Sequence, residues 1–180
     1  MTSDLELLKE LQAGRREAFD ELFKRHQRSI YFLALRYLGN EEDAMEITQQ
    51  AFVRAFNAAP RFEGRSSFKT WLYRITVNLC KNHLTRSPKA HEVPFEDFED
   101  HLAADPDTLP DQEGRRSLVR EAMEGLPERQ RQVVMLRVYE ELSFKEIAKV
   151  LGCSAGSAKV NYHYAVRGLK KMLNHTKEDL

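Results

Sequence analysis

The sequence predicts an all-α protein: two small helical domains joined by a flexible acidic linker, the second containing a helix-turn-helix. Three observations carry this expectation. Apolar residues recur at three- and four-residue spacing through residues 4–86 and again through 113–175, and the first stretch holds no alternating strand pattern. Residues 87–112 between them carry Pro88, Pro94, Pro106 and Pro110, a run of acids and little periodicity. Leu142 to Leu169 reads as a short helix, a glycine-containing turn and a second helix. The expected boundaries are 1–88, 89–112 and 113–180.

The elements follow in order. Leu5, Leu8 and Leu11 start a first amphipathic segment that Gly14 ends. Phe19, Leu22, Phe23, His26, Ile30, Leu33, Leu35 and Leu38 mark a long second helix, stopped by Gly39-Asn40. Ala44, Ile47, Ala51, Phe52, Ala55 and Phe56 form a third stripe. Pro60 and Gly64 break the chain, and Ser66-Ser67 can cap a fourth helix running to about Arg86. Residues 87–112 cannot bury enough apolar surface to offset their ordering entropy, so they read as the linker, with Phe95, Phe98 and Leu102 as docking points. Beyond it, Leu118, Val119, Ala122 and Met123 make one stripe, and Pro127 suits the first position of a new helix through Val133, Val134 and Leu136. Leu142-Ser143 starts the next helix, with Phe144, Ile147, Ala148 and Leu151 inward and Gly152 as its stop. Ser154 caps the last helix, through Val160, Ala165, Leu169 and Met172.

At 180 residues the chain has room for one medium domain or two small ones. Hydrophobic content of 42% with 31% charged residues marks a soluble globular protein, and no apolar run of 18 or more is present to span a membrane. The N-terminus Met1-Thr2-Ser3-Asp4-Leu5-Glu6 lacks the basic-then-apolar pattern of a secretory signal, so a cytoplasmic location is expected. Cys80 and Cys153 lie far apart, which gives neither a disulfide framework nor paired metal ligands. Cys80 and His83 have zinc-ligand spacing but no second pair, and Cys80 reads as a small buried side chain. No phosphate loop, metalloprotease run or nucleophile elbow occurs. The chain is therefore expected to be neither an enzyme nor a cofactor or metal binder, and to have no small-molecule substrate.

Net charge is zero, yet the charge is segregated. Residues 92–113 hold nine acids and no Lys or Arg, leaving 28 basic against 19 acidic residues elsewhere. Residues 115–177 hold thirteen basic and six acidic residues. An ordinary helical hairpin would share the apolar pattern of 142–169; the surrounding charge favours DNA. Ser157, Lys159, Val160, Asn161, His163 and Tyr164 sit on early turns of the second helix, where they could face a major groove. Lys159 and Asn161 can bond base edges, and Val160 can meet a thymine methyl. Arg137, Lys145 and Arg167 are placed for phosphates.

A second basic stretch spans 61–86, where Arg61, Arg65, Lys69, Arg74, Lys81 and Arg86 face one acid, Glu63, with aromatics interleaved. On a helix, Phe68, Leu72, Ile75 and Leu79 share the inward face, and Thr70, Arg74, Asn78, Lys81 and Thr85 a separate polar stripe. Trp71 borders the inward face and suits a core role; Phe62 and the Gly64-Arg65-Ser66-Ser67 loop are better placed to grip a base. The third helix shows Glu46, Gln49, Gln50, Phe52 and Arg54 outside its inward stripe. A mixed polar surface around an exposed aromatic suits a protein partner, and a solvated helix face fits equally.

The run from Arg61 to Ile75 (RFEGRSSFKTWLYRI) strongly resembles the promoter-melting, minus-ten-reading segment of extracytoplasmic-function sigma factors. Glu42 to Phe56 resembles the family's polymerase-binding helix, and Leu126 to Arg131 with Leu142 to Leu151 its C-terminal domain. The resemblance covers nearly the whole chain, with the motifs in family order. It implies a factor that binds core RNA polymerase and directs it to promoter DNA, under control of an anti-sigma factor in a stress response. It further implies that Glu46, Gln49, Gln50, Phe52 and Arg54 meet polymerase, and that Asn78 with the Phe62–Ser67 loop handles minus-ten bases. Lys159, Val160 and Tyr164 would approach the minus-35 element. Gln50 stands where family members often carry an acid, and 159–164 holds fewer arginines than is usual. The alternative is a stand-alone helix-turn-helix regulator with an N-terminal sensor or dimerisation domain, which would leave the basic aromatic stretch at 61–86 without a use.

Overall fold

A computed structural model describes residues 2–86 and 119–178, with side chains up to Met172. Every regular element among the described residues is helical. They form two compact units. The acidic segment, with Phe95, Phe98 and Leu102, lies outside the described residues, as does Leu118.

The first unit holds α1 (Asp4–Gln12), α2 (Glu17–Leu38), α3 (Glu41–Ala58), a 3₁₀ turn (Ala59–Arg61) and α4 (Phe68–Arg86). Each boundary has a local cause. Ser3 and Glu6 make a capping box at α1: the Glu6 N–H donates to Ser3 Oγ, and the Ser3 N–H to Glu6 Oε2. Gly39 takes the left-handed conformation (φ 67°) and its N–H donates to the Leu35 carbonyl, closing α2. Asn40 then caps α3 by accepting from the Asp43 N–H at 2.9 Å.

Packing follows the apolar stripes. Helices α2, α3 and α4 pack pairwise, and α1 lies on α2 and the 3₁₀ turn. Leu8, Leu22, Ile30, Leu33, Ile47, Leu72, Tyr73 and Val77 are fully buried. Because α4 packs against two helices, it buries Thr76 and Cys80 as well as the expected apolar face. Thr76 and Thr48 enter the core because their hydroxyls donate to the carbonyls four residues back, at 2.9 and 2.7 Å. Burial pushes the Cys80 thiol up to about 12, which leaves it a small inert core group.

Three expectations fail here. Phe52 is not an exposed aromatic: it is 3% exposed, with ring edges against Phe23 at 4.7 Å and Phe19 at 6.2 Å. Helix α2 reaches past the alanine stripe of α3 and covers it. Thr70 leaves the polar stripe of α4, being 1% exposed. Its N–H donates to Ser67 Oγ at 3.1 Å and its hydroxyl lies 2.8 Å from the same oxygen, so it belongs to the helix cap. Ile75, expected inward, is only half-buried.

The second unit holds α5 (119–124), α6 (Glu128–Val138), α7 (Phe144–Leu151) and α8 (Ala155–Glu178). Pro127 stands one residue outside α6 (ψ 140°) rather than at its first position. Helix α6 packs on α8, where Ala158 and Ala165 are fully buried and permit a close approach. Ser143 and Glu146 form a second capping box, which starts the eight-residue α7. Such a short helix is marginal alone, so its cap carries weight. Ser143→Ala is expected to lower the stability of this unit by about 1 kcal/mol, read as a lower urea midpoint at an unchanged m-value.

Candidate nucleic-acid interface

The turn between α7 and α8 is built from three local devices. Gly152 adopts φ 66°, a conformation that L side chains resist. The Cys153 N–H returns to the Ala148 carbonyl at 3.0 Å, and Ser154 Oγ accepts the Ser157 N–H at 3.0 Å. Helix α8 thereby leaves the turn with a fixed start. Burial of Ala158 and Ala165 turns Lys159, Val160, His163, Tyr164 and Arg167 together onto one exposed face. Val160 is 53% and Tyr164 54% exposed, four residues apart on that face. The face offers cations, a ring nitrogen, a phenol and a methyl pair, the groups that read a major groove.

The other residues expected to meet the duplex stand in different settings. Ser157 and Asn161 are half-buried on its shoulder. Asn161 Nδ2 donates to the Ser157 carbonyl at 2.9 Å, which engages the amide donor within its own helix. Arg137 donates to the Leu142 carbonyl at 2.8 Å, and its guanidinium lies 5.1 Å from the Phe144 ring centroid. It thus braces the turn before α7, where Glu141 takes φ 54°. Lys145 is exposed on α7.

In the first unit the loop from Phe62 to Ser67 links the 3₁₀ turn to α4 and is pinned at both ends. At its exit, Ser67 caps α4. At its entry, the Phe62 N–H donates to the Ala59 carbonyl, and Gln12 Nε2 reaches from the end of α1 to the Ala59 and Phe62 carbonyls, at 2.9 and 3.1 Å. Gly64 turns the middle with φ 70°, and Arg65 and Glu63 pair across it at 2.6 Å. Both are strongly exposed, so the pair contributes little to stability. The Phe62 ring packs against Trp71, tilted 54° with 4.9 Å between centroids, and Trp71 approaches Phe68 at 5.9 Å, so Trp71 backs the loop as well as bordering the core.

Beside this loop, α4 presents Arg74, Asn78 and Thr85 exposed and Lys81 half-buried. Arg61 is exposed and Ser66 half-buried, while Lys69 is half-buried with its ammonium 5.3 Å from the Tyr73 ring centroid. A cationic stripe thus runs from an aromatic-backed loop, an arrangement suited to unstacked bases and their phosphates.

Helix α3 carries a third surface. Glu46, Gln49 and Arg54 are exposed, and Gln50 donates to Glu46 Oε1 at 2.7 Å. With Phe52 withdrawn, the apolar component comes from Met45 and Val53, 57% and 60% exposed. Their sequence signal was an apolar residue just outside the inward stripe, which is weak. Gln12 left no signal at all, because its partners lie about fifty residues away.

Two family models match separate stretches of the chain. Residues 22–89 match the family described as Sigma-70 region 2, and residues 116–172 the family described as Sigma-70, region 4. The chain is 34% identical to the RNA polymerase sigma-H factor of Pseudomonas aeruginosa over 180 residues, covering 94% of this chain and 93% of that protein. It is 35% identical to the ECF RNA polymerase sigma-E factor of Escherichia coli K12 over 167 residues, covering 87% of each. In fold it resembles CnrH, solved with the cytosolic domain of CnrY, with a TM-score of 0.72, 22% identity, and coverage of 97% and 99%. It also resembles the sigma factor RpoE of Bartonella quintana, solved with the anti-sigma factor NepR, with a TM-score of 0.65, 20% identity, and coverage of 87% and 96%.

Proposed function

The chain belongs to the extracytoplasmic-function family of RNA polymerase sigma factors, and on that premise we propose how its surfaces divide the work. A sigma factor is not an enzyme; it binds core RNA polymerase and directs it to promoters. Residues 1–88 form the polymerase-binding and minus-ten domain, 89–112 the tether, and 113–180 the minus-35 domain. Lys159, Val160, His163, Tyr164 and Arg167 read duplex DNA, with Ser157, Asn161, Lys145 and Arg137 supporting the helix or reaching phosphates. Phe62, Arg65, Ser66 and Ser67 grip melted minus-ten bases. Arg61, Lys69, Arg74, Asn78 and Lys81 carry the strand. Glu46, Gln49, Gln50 and Arg54, joined by Met45 and Val53, form the polymerase face.

The observation that carries this division is the contrast between the two faces. The α8 face is a flat helical stripe suited to a groove. The other is a looped aromatic site beside cations, suited to single strands. The match of region 2 to residues 22–89 sets aside a sensor or dimerisation role for that half. The described helices include none long and apolar enough to cross a membrane, and the protein acts in the cytoplasm, where its polymerase is. An anti-sigma factor holds the chain silent until a stress signal by covering these same faces; the RpoE that it resembles in fold was solved with such a partner.

Glu46→Lys is expected to weaken core-polymerase binding about tenfold, because it reverses charge at an exposed position of the partner face. Fluorescence titration of the labelled chain with core polymerase checks it, with circular dichroism as the control for fold. Unchanged affinity with a native spectrum would move the polymerase face off α3.

A further inference from the structure

We propose that Gln12 is a positioning residue for promoter opening: its amide sets the height and orientation of the Phe62–Ser67 loop. The proposal deepens the minus-ten reading of that loop and rests on it.

The geometry is specific. A loop of small and polar residues around a left-handed glycine has few internal restraints, and its Arg65–Glu63 pair is exposed. Its conformation is therefore fixed by its ends. At the exit, Ser67 caps α4, itself packed against α2 and α3. At the entry, the chain has left α3 and made one 3₁₀ turn, which a single backbone bond from Phe62 to Ala59 closes. The second tie there is the Gln12 side chain, whose one amide nitrogen serves the carbonyls of both Ala59 and Phe62. A side-chain amide carries two N–H donors, so both carbonyls can be served at once. Gln12 is the last residue of α1, and α1 is held to α2 by the Asp4 carboxylate, 3.2 Å from Arg25 and 2.6 Å from His26 Nε2. The entry of the loop is thus referred to the body of the unit through α1.

Restraint at Phe62 is restraint where a base would be captured. An aromatic that must receive an unstacked base gains from being held in place beforehand, since ordering it on binding would subtract from affinity. Losing the amide leaves the Phe62 carbonyl to water and the Ala59 carbonyl with the Phe62 N–H alone, which frees Phe62 to leave Trp71. The bonds are partly exposed, so each contributes modestly. The expected loss is about three- to tenfold in minus-ten strand affinity and in the rate of open-complex formation.

The test uses the full chain, alone and in holoenzyme. Gln12→Glu keeps the length but carries no donor, and Gln12→Ala removes the group. Trp71 is the chain's one tryptophan and packs against Phe62, so its emission reports the loop. Both variants should shift Trp71 emission and raise its quenching by acrylamide. Both should weaken holoenzyme binding to a single-stranded minus-ten oligonucleotide three- to tenfold, leaving core affinity and minus-35 duplex dependence unchanged. Phe62→Ala is the reference. If Phe62→Ala weakens the oligonucleotide and neither Gln12 variant does, the positioning role is overturned and the loop's role stands. If Phe62→Ala has no effect either, the minus-ten reading of the loop falls and the positioning role with it. If the Gln12 variants lose core affinity in equal measure, Gln12 supports the fold generally and the proposal is overturned.

Discussion

Phe52→Ala is expected to destabilise the first helical unit by about 3–5 kcal/mol, rather than to remove a polymerase contact. The ring is 3% exposed and meets Phe23 and Phe19 edge-on, and Phe19 in turn meets Phe56 at 5.0 Å. Removing it leaves a cavity where α2 crosses α3, between rigid rings that cannot collapse to fill it. Small domains hold roughly 5–15 kcal/mol in all, so much of the margin disappears. For a unit of this size each kcal/mol corresponds to roughly 4–8 °C in melting temperature, and the first transition should fall by more than about 12 °C. Core binding and minus-ten binding should fail together on warming, because α3 and α4 share that core. Glu46→Lys should separate them, losing core affinity at an unchanged melting temperature. A Phe52→Ala protein with native thermal stability would contradict the packing described.

Lys159→Ala is expected to change promoter choice rather than general DNA affinity. Lys159 opens the exposed face of α8, one turn past the Ser154 cap, with His163 and Arg167 following at four-residue intervals. A residue on the early turns of a recognition helix reaches base edges, whereas one two turns later meets the rising phosphate backbone. Losing a base contact should cost about 1–3 kcal/mol at one position of the minus-35 element and relax selection there. Arg167→Ala should instead weaken all promoters alike and lower the salt slope by about one. Selection from a randomised minus-35 library, followed by salt titration of the winners, separates the two. Uniform loss on Lys159→Ala would make it a phosphate contact.

Much of this architecture was legible because its signals are local. A capping serine with a glutamate three residues on, as at Ser143–Glu146, fixes a helix start whatever surrounds it. Gly39-Asn40 and Gly152 announce their breaks through conformations that other residues resist. Long-range packing was not legible. Phe52 borders the alanine stripe of α3, and only the placement of α2 decides whether a neighbour covers it. Thr70 has the chemistry of a surface residue and the position of a cap partner. The exposure of Lys159, Val160, His163, Tyr164 and Arg167 on α8 was legible, since it follows from helical period. The bond from Asn161 Nδ2 to the Ser157 carbonyl is a choice no spacing reveals. Gln12 depended on two segments meeting in space.

The claim that two non-equivalent nucleic-acid faces act through one polymerase has a direct test. Purified chain and core polymerase are combined in run-off transcription on a promoter library, in duplex form and with the minus-ten region pre-melted. Transcripts should appear only with the chain present and should select both elements on duplex templates. Phe62→Ala should fail on duplex templates, and pre-melting should restore part of its transcription, since the opening step is supplied; Lys159→Ala should respond equally little to either form. Promoter-independent transcription, or no transcript with no core binding, would contradict the division of labour proposed for the two helical units.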